Sequence, residues 1–255
     1  MDSSTPHSAT EPANSCAQKA QPLAARDPAK VDILIRHPDF LLCHKPAGMS
    51  FHREADTPGF MDAVRELADG ELNPVHRLDR ITSGLVLVAR GADAARQFGT
   101  LFESRQIAKY YVALSDRKPA KKQGTIAGGM APGRGGNWRL TREPDQHAVT
   151  QFFSYGLGQG LRLYLLRPLT GRTHQLRVAM KSLGAPILGD TRYGGTPADR
   201  GYLHAWQLAF DWQGQYHAYA LAPQQGAQFT SATTLLTQIS PDVLLWPSRP
   251  ETPRG

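Results

Sequence analysis

The chain has 255 residues, of which 40% are hydrophobic and 20% are charged. This composition allows a buried core and excludes a wholly disordered chain, a collagen-like repeat and a disulfide-stapled scaffold. The two cysteines lie far apart in sequence, which favours a reduced compartment such as the cytoplasm. The formal net charge of +7 favours a polyanionic partner such as nucleic acid, although many basic proteins bind no polyanion.

Residues 1–29 contain almost no large apolar side chain. We therefore predict a disordered tail there, because such a segment cannot bury enough surface to offset the entropy of ordering. Residues 247–255 are rich in proline and predict a second, flexible tail. Between them, residues 30–246 form one continuous folded domain. No apolar run reaches the ~18 residues that a membrane-spanning helix needs, so no membrane association is expected.

The folded region combines many strands with few helices. Apolar residues at helical spacing predict helices over residues 60–68, 92–103 and 173–183. Segments rich in β-branched and aromatic residues predict strands over 31–36, 40–44, 84–89, 109–114, 124–130, 148–155, 161–167, 203–210 and 216–221. This pattern favours an α+β fold with a mainly antiparallel sheet over a doubly wound parallel one.

The loop of residues 74–84 is the first segment with a chemical character, since it places several cations, one carboxylate and two hydroxyls before an apolar strand. Side chains next to a buried strand are rigidly held, as positioned functional groups must be. Asp79 is the candidate acid of this loop. The alternative is that Asp79 only receives an ion pair from Arg77 or Arg80.

The second segment, residues 167–177, ends a strand in a Thr-Gly turn and then begins a helix. The free N–H groups of a helix N-terminus favour an anion, which here is a phosphate or the Asp79 carboxylate. Arg177 lies beside the apolar stripe of that helix, so its guanidinium needs a buried partner. The alternative is that Arg177 pairs with an unrelated structural carboxylate and that His174 is solvated.

In a third segment, residues 105–114, strand alternation sends Tyr110 and Tyr111 to opposite faces of the sheet. A tyrosine on a sheet is by default a packing residue. Only one of these two tyrosines can line a cleft.

Residues 76–85 and 170–177 together resemble the two signature motifs of the RluA-type pseudouridine synthases. Four further segments follow in the family's order, and they are residues 45–48, 109–114, 184–194 and 203–205. The resemblance implies a mixed, mainly antiparallel sheet with flanking helices and a central catalytic cleft. It also implies the isomerisation of uridine to pseudouridine in structured ribosomal or transfer RNA, without a cofactor or metal.

Residue by residue, the resemblance makes Asp79 the catalytic aspartate, with Arg177 paired to it and Tyr111 against the uracil ring. Arg77 occupies the position that helps to hold the flipped-out nucleotide by filling space in the RNA stack. The other substrate- or RNA-binding residues expected from the two motifs are His76, Arg80, Thr82, Arg172, His174 and Gln175.

A single ionised carboxylate suits this reaction, because it can attack C1′ or the ring, or take a proton from C2′. A guanidinium beside it offsets the cost of desolvating its charge. A hydrolase acting on a sugar or nucleoside is disfavoured, since such enzymes usually need a second acid. A catalytically idle RNA-binding module with the same fold remains the alternative.

No basic module of the S4 type precedes the folded region, so the catalytic domain itself is expected to choose the RNA, acting as a monomer. Residues 115–147 form a glycine-rich stretch with the cations Arg117, Lys118, Lys121, Lys122, Arg134, Arg139 and Arg142. Our hypothesis is that this stretch folds over the RNA. The alternative is a solvated connection between strands.

Overall fold

The computed structural model describes residues 19–143 and 146–248. Its strands are β1 (Gln21–Leu23), β2 (Asp32–Arg36), β3 (Phe40–Lys45), β4 (Leu72–Pro74), β5 (Ser83–Arg90), β6 (Ala108–Ser115), β7 (Gln123–Pro132), β8 (Trp138–Thr141), β9 (Ala148–Gly158), β10 (Leu161–Pro168), β11 (Leu203–Trp212) and β12 (Gln215–Leu221). Its α-helices are α1 (Phe60–Leu67), α2 (Ala92–Glu103), α3 (Gln175–Ser182) and α4 (Thr233–Gln238). None of the helices in the described part of the chain is long and apolar enough to cross a bilayer.

The strands form one 12-stranded sheet with the order β2-β3-β5-β11-β6-β10-β9-β7-β8. Strand β4 pairs with β5, and β12 lies beside β11 and carries β1. Among the described pairs, only β1 with β12 and β5 with β11 are parallel. The predicted α+β class with a mainly antiparallel sheet is therefore confirmed.

Strand β5 is buried on both faces and divides the core in two. Because successive side chains of a strand point to opposite faces, Val86 packs on one side with Phe60 of α1. Leu85 and Leu87 pack on the other side with Phe98 of α2. This arrangement holds β5 firmly, and the loop that precedes β5 is therefore attached to a rigid element.

The expectation of a disordered tail over residues 1–29 is wrong near its end. Residues 21–23 form β1, which extends the sheet beside β12, and the following Ala25 is buried. The Arg26 guanidinium Nε then donates to Asp32 Oδ1 at 3.0 Å. A strand of this kind is held by backbone hydrogen bonds to a free sheet edge and needs little apolar composition. Residues 1–18 lie outside the described part.

The first residues of the predicted C-terminal tail also contact the sheet. The Gln151 amide donates to the Pro247 carbonyl, and Thr125 Oγ1 donates to the Ser248 carbonyl at 2.8 Å. These bonds place the segment that follows α4 across β7 and β9. Residues 249–255 lie outside the described part.

Candidate active site

A cleft of about 640 Å³ opens between the loop before β5, strand β6 and the turn that joins β10 to α3. Residues 75–79 and 167–176 contribute two of its walls, and Tyr111 also lines it. The two sequence motifs, which lie about ninety residues apart in the chain, thus meet at one cavity.

Buried Lys45 fixes the loop that carries Asp79. Its Nζ donates to the carbonyls of Pro46 and Thr82 at 3.0 Å each, and the Thr82 N–H donates to the Asp79 carbonyl at 3.0 Å. Burial lowers the pKa of Lys45 to about 7, and the Asp79 carboxylate opposes this shift. The backbone that follows Asp79 is therefore tied to the buried Lys45 amino group.

The exit of the same loop depends on a glycine and a neutral histidine. Gly84 has φ +114°, and a Cβ at this position would lie 2.3 Å from the Ala205 carbonyl oxygen. Beside it, His204 Nε2 donates to a β12 carbonyl at 2.7 Å, so its Nδ1 accepts from the Ser83 hydroxyl at 2.7 Å. Burial lowers the pKa of His204 to about 3. This Ser-His pair is thus a structural contact and not an activated nucleophile.

Arg177 contacts two carboxylates. Its Nη1 lies 3.7 Å from Asp79 Oδ2, while its Nε and Nη2 donate to Asp190 Oδ2 and Oδ1 at 2.8 and 2.7 Å. Burial by itself lowers the pKa of Arg177, but the bonds to Asp190 and the charge of Asp79 outweigh this effect and raise it.

The predicted meeting of Asp79 and Arg177 is thus present in the structure, although Asp190 is the closer, bidentate partner. The Arg177 and Asp190 side chains are 6% and 1% exposed, whereas that of Asp79 is 20% exposed. Arg177 therefore combines the two pairings considered from the sequence. Asp190 was missed, and the only available signal was that a buried guanidinium requires more than one acceptor.

Tyr111 lines the cleft, whereas Tyr110 packs against Trp246 with ring centroids 5.8 Å apart. Burial, and then the charge of Asp79, raise the pKa of the Tyr111 hydroxyl. Tyr111 is therefore protonated at neutral pH and presents its ring and a neutral hydroxyl to the cavity.

The two residues before Leu78 have different roles. Arg77 is exposed at the cleft wall, and its Nη2 donates to Thr173 Oγ1 at 3.1 Å across the cavity. His76 Nε2 instead accepts the Leu87 N–H at 2.9 Å. Burial lowers the pKa of His76 to about 3. The ring is therefore neutral and anchors the loop to β5, which differs from the substrate-binding role expected for it.

Arg80 does not belong to the cleft. Its Nε donates to the Gly48 carbonyl at 2.9 Å, and its Nη1 lies 3.5 Å from Glu54. Arg80 thus closes the loop after β3, and the RNA contact expected of its exposed side chain stays a prediction. Thr82 does line the cleft, although only 2% of it is exposed.

Helix α3 begins at Gln175, two residues later than predicted, because His174 has the left-handed φ of +56°. The Gln175 side chain accepts from Thr170 Oγ1 at 2.8 Å and from the Arg172 N–H at 3.0 Å. Its amide donates to the Val149 carbonyl at 3.1 Å and to a neighbouring hydroxyl of β9 at 3.0 Å. All four hydrogen-bonding positions are used, so Gln175 shapes the turn and does not offer itself to RNA. Arg172 is exposed at the cleft wall.

Tyr193 connects the turn after α3 with the β7–β8 hairpin. Its hydroxyl lies 2.7 Å from His174 Nδ1 and accepts the Trp138 N–H at 2.9 Å. Its ring lies 4.8 Å from the Arg177 guanidinium carbon. The hairpin packs on α3 through Trp138 and Leu140, and none of its described residues lines the cleft.

The cleft is strongly basic, since five cations line it against the two acids Asp79 and Glu103. The cations that line it are Arg77, Arg105, Lys109, Arg167 and Arg172. Burial lowers the pKa of Lys109 to about 8, so it remains mostly protonated at neutral pH. Such a cavity is suited to a polyanion that presents one neutral ring to the Asp79 carboxylate.

The chain is similar to known proteins over most of the folded region. The family model described as RNA pseudouridylate synthase matches residues 39–182. A protein named as an uncharacterized RNA pseudouridine synthase of Haemophilus influenzae is 44% identical over 213 residues, which cover 82% of this chain and 95% of that protein. The tRNA pseudouridine synthase C of Haemophilus ducreyi is 34% identical over 187 residues, which cover 67% of this chain and 77% of that protein. The solved structure of human RNA pseudouridylate synthase domain containing 1 has a TM-score of 0.63 at 25% identity and covers 77% of this chain and 84% of its own.

Proposed function

The chain belongs to the RNA pseudouridylate synthase family, and from this premise we propose how its residues convert uridine to pseudouridine in RNA. It is an RNA-modifying isomerase, and the alternative of an idle RNA-binding module is not supported. We assign Asp79 as its catalytic carboxylate. The observation that carries this assignment is a partly exposed carboxylate, held 3.7 Å from a buried guanidinium, inside a basic cleft.

The reaction breaks the N1–C1′ bond, forms a C5–C1′ bond, and moves a proton from C5 of the ring to N1. Arg177 faces Oδ2 of Asp79, which leaves Oδ1 for the nucleoside. From there the carboxylate attacks C1′ or the ring, or removes a proton from C2′. Asp190 holds Arg177 in place, so that Arg177 orients Asp79 without fully neutralising it.

The uridine reaches Asp79 only after it leaves its stack, which costs a few kcal/mol. We propose that Arg77 fills the space left in the RNA, since it is exposed at the cleft wall and is held by one bond to Thr173. Tyr111 then packs against the uracil ring with its protonated hydroxyl. Phosphate contacts from Arg172 and from the other cations of the cleft offset the cost of flipping.

For the substrate class we propose structured ribosomal or transfer RNA, modified in the cytoplasm by a monomer. The relative from Haemophilus ducreyi bears the name of a tRNA enzyme, which supports this class. We further propose that the hairpin of β7 and β8 contacts RNA outside the cleft. Because the hairpin packs against α3, it is placed to contact RNA beside the cleft and not to cover the RNA bound in it.

The test uses total RNA from a strain that lacks this gene. The purified chain is added, and pseudouridine is mapped by chemical sequencing. We expect new pseudouridine with the wild type and with Asp93→Asn, an exposed acid on α2, but none with Asp79→Asn. Equal product from Asp79→Asn would refute the assignment of Asp79, and release of free uracil would refute the isomerase reaction.

A further inference from the structure

Arg167 lies at the end of β10 and lines the cleft. Its guanidinium carbon lies 5.5 Å from the ring centroid of Trp246 and 5.8 Å from that of Tyr110. The two rings are themselves stacked, with an interplanar angle of 22°. Arg167 is therefore held by aromatic faces, which attract a cation without using its N–H groups.

The donors of this guanidinium are not consumed by the protein. Within residues 19–143 and 146–248, no carboxylate oxygen lies within 4.0 Å of it, and it donates no hydrogen bond to a protein acceptor. Arg177, by contrast, donates from Nε and Nη2 to Asp190 and faces Asp79 with Nη1. A planar cation that is oriented by aromatic rings, open along its N–H edge and uncompensated in charge is suited to a bidentate contact with a phosphate.

The C-terminal segment supplies the ring that orients Arg167. Trp246 Nε1 donates to the Pro241 carbonyl at 2.8 Å, and its ring packs edge-on against Phe153 at 5.0 Å. The bonds from Gln151 and Thr125 to the next two residues hold this segment on the sheet. This part of the chain lies beyond residues 39–182, which the family model matches.

We propose that Arg167 binds a phosphate of the RNA backbone at the cleft, and that Trp246 acts as its positioning residue. The inference rests on the proposed function, since it takes RNA as the ligand of this cavity. It adds an RNA contact from the end of β10, together with a role for the segment that follows α4.

The test measures binding of an unmodified tRNA transcript to the full chain by fluorescence anisotropy across a salt series. Removing one phosphate contact in Arg167→Gln should weaken binding about tenfold at low salt and reduce the slope of log K against log salt by about 0.7–0.9. Arg167→Lys and Trp246→Ala keep the charge, so they should weaken binding while leaving the slope unchanged. The matched control is Arg162→Gln on the same strand, because Arg162 lies outside the cleft and bonds to Ser154; it should bind like the wild type.

Circular dichroism checks that each variant is folded, and Trp246→Phe, which keeps an aromatic face, should restore most of the affinity lost in Trp246→Ala. Equal affinity and slope for Arg167→Gln, Arg162→Gln and the wild type would overturn the proposal. A wild type that does not bind the transcript would also overturn it. If the wild type binds with the expected slopes but forms no pseudouridine, the isomerase assignment fails while the phosphate contact stands.

Discussion

Replacing each of the two carboxylates that contact Arg177 should separate stability from catalysis. In Asp190→Asn the guanidinium loses a bidentate partner whose side chain is 1% exposed. Breaking a buried ion pair costs about 3–5 kcal/mol. We expect the lower end, about 3 kcal/mol, because Asp79 Oδ2, only 3.7 Å away, still compensates part of the charge.

Asp79→Asn should behave in the opposite way. Arg177 keeps both bonds to Asp190, and the Asp79 side chain is 20% exposed with a single contact of 3.7 Å. A partly exposed pair of this kind contributes at most about 1 kcal/mol. This variant should therefore remain nearly as stable as the wild type and form no pseudouridine.

Urea unfolding followed by tryptophan fluorescence measures the free energy of unfolding of both variants, with Asp93→Asn as the control for loss of a surface acid. Pseudouridine mapping on the same samples measures the activity. If Asp79→Asn lost as much stability as Asp190→Asn, Asp79 would be a principal structural partner of Arg177, and the division of roles described above would be wrong.

Three further predictions concern the hairpin, the half-buried His76 and the glycine at the start of β5. Neutralising Arg134 and Arg139 of the hairpin together with Lys121 and Lys122, which directly precede β7, should weaken RNA binding and flatten its salt dependence. Unchanged affinity across salt would contradict the proposed RNA contact of this segment. The pKa of His76 is about 3 in the folded chain, against an ordinary histidine pKa of 6.5. The unfolded chain therefore binds the proton first as the pH falls below 6.5, and stability is lost. By about pH 5 the loss of unfolding free energy reaches about 2 kcal/mol. In His76→Gln, which still offers an acceptor to the Leu87 N–H, urea unfolding at about pH 7.5 and about pH 5 should not show this loss. If the variant lost as much stability between the two pH values as the wild type, His76 would not be the cause. Gly84→Ala should lower the unfolding free energy by more than about 2 kcal/mol. The control Gly99→Ala in α2, where a Cβ meets nothing within 4 Å, should be neutral or stabilising in thermal melts. Similar melting temperatures for the two variants would contradict the close approach of Gly84 to Ala205.

The sequence was sufficient to predict that Asp79 and Arg177 lie together, because both belong to short, chemically dense segments. Asp79 and Arg177 meet as expected, since each segment directly precedes or begins a well-packed element. The major helices α1 and α2 also follow their apolar spacing closely.

The features that the sequence did not predict depend on tertiary contacts. Strand β1 has three residues and is defined by its partner β12. The side-chain directions of His76 and Arg80 depend on backbone partners elsewhere in the fold. The Leu87 N–H of β5 donates to His76, and the Gly48 carbonyl accepts from Arg80. Periodicity carries no information about such directions in a loop. Gln175 similarly looked available in sequence because the two acceptors of its amide group lie on β9, about 25 residues earlier in the chain.

Strands β5 and β11 meet through only two register pairs, Ser83 with His204 and Gly84 with Ala205. Asp79 lies on the β5 side of this short strand pairing, whereas Arg177 and Tyr111 lie on the β11 side. The proposed catalytic site is consequently assembled from two sheet halves that pair edge to edge, and neither half holds all three of its residues. We therefore expect a local opening at this joint to abolish turnover while most strands remain paired, so that turnover is lost before secondary structure during unfolding.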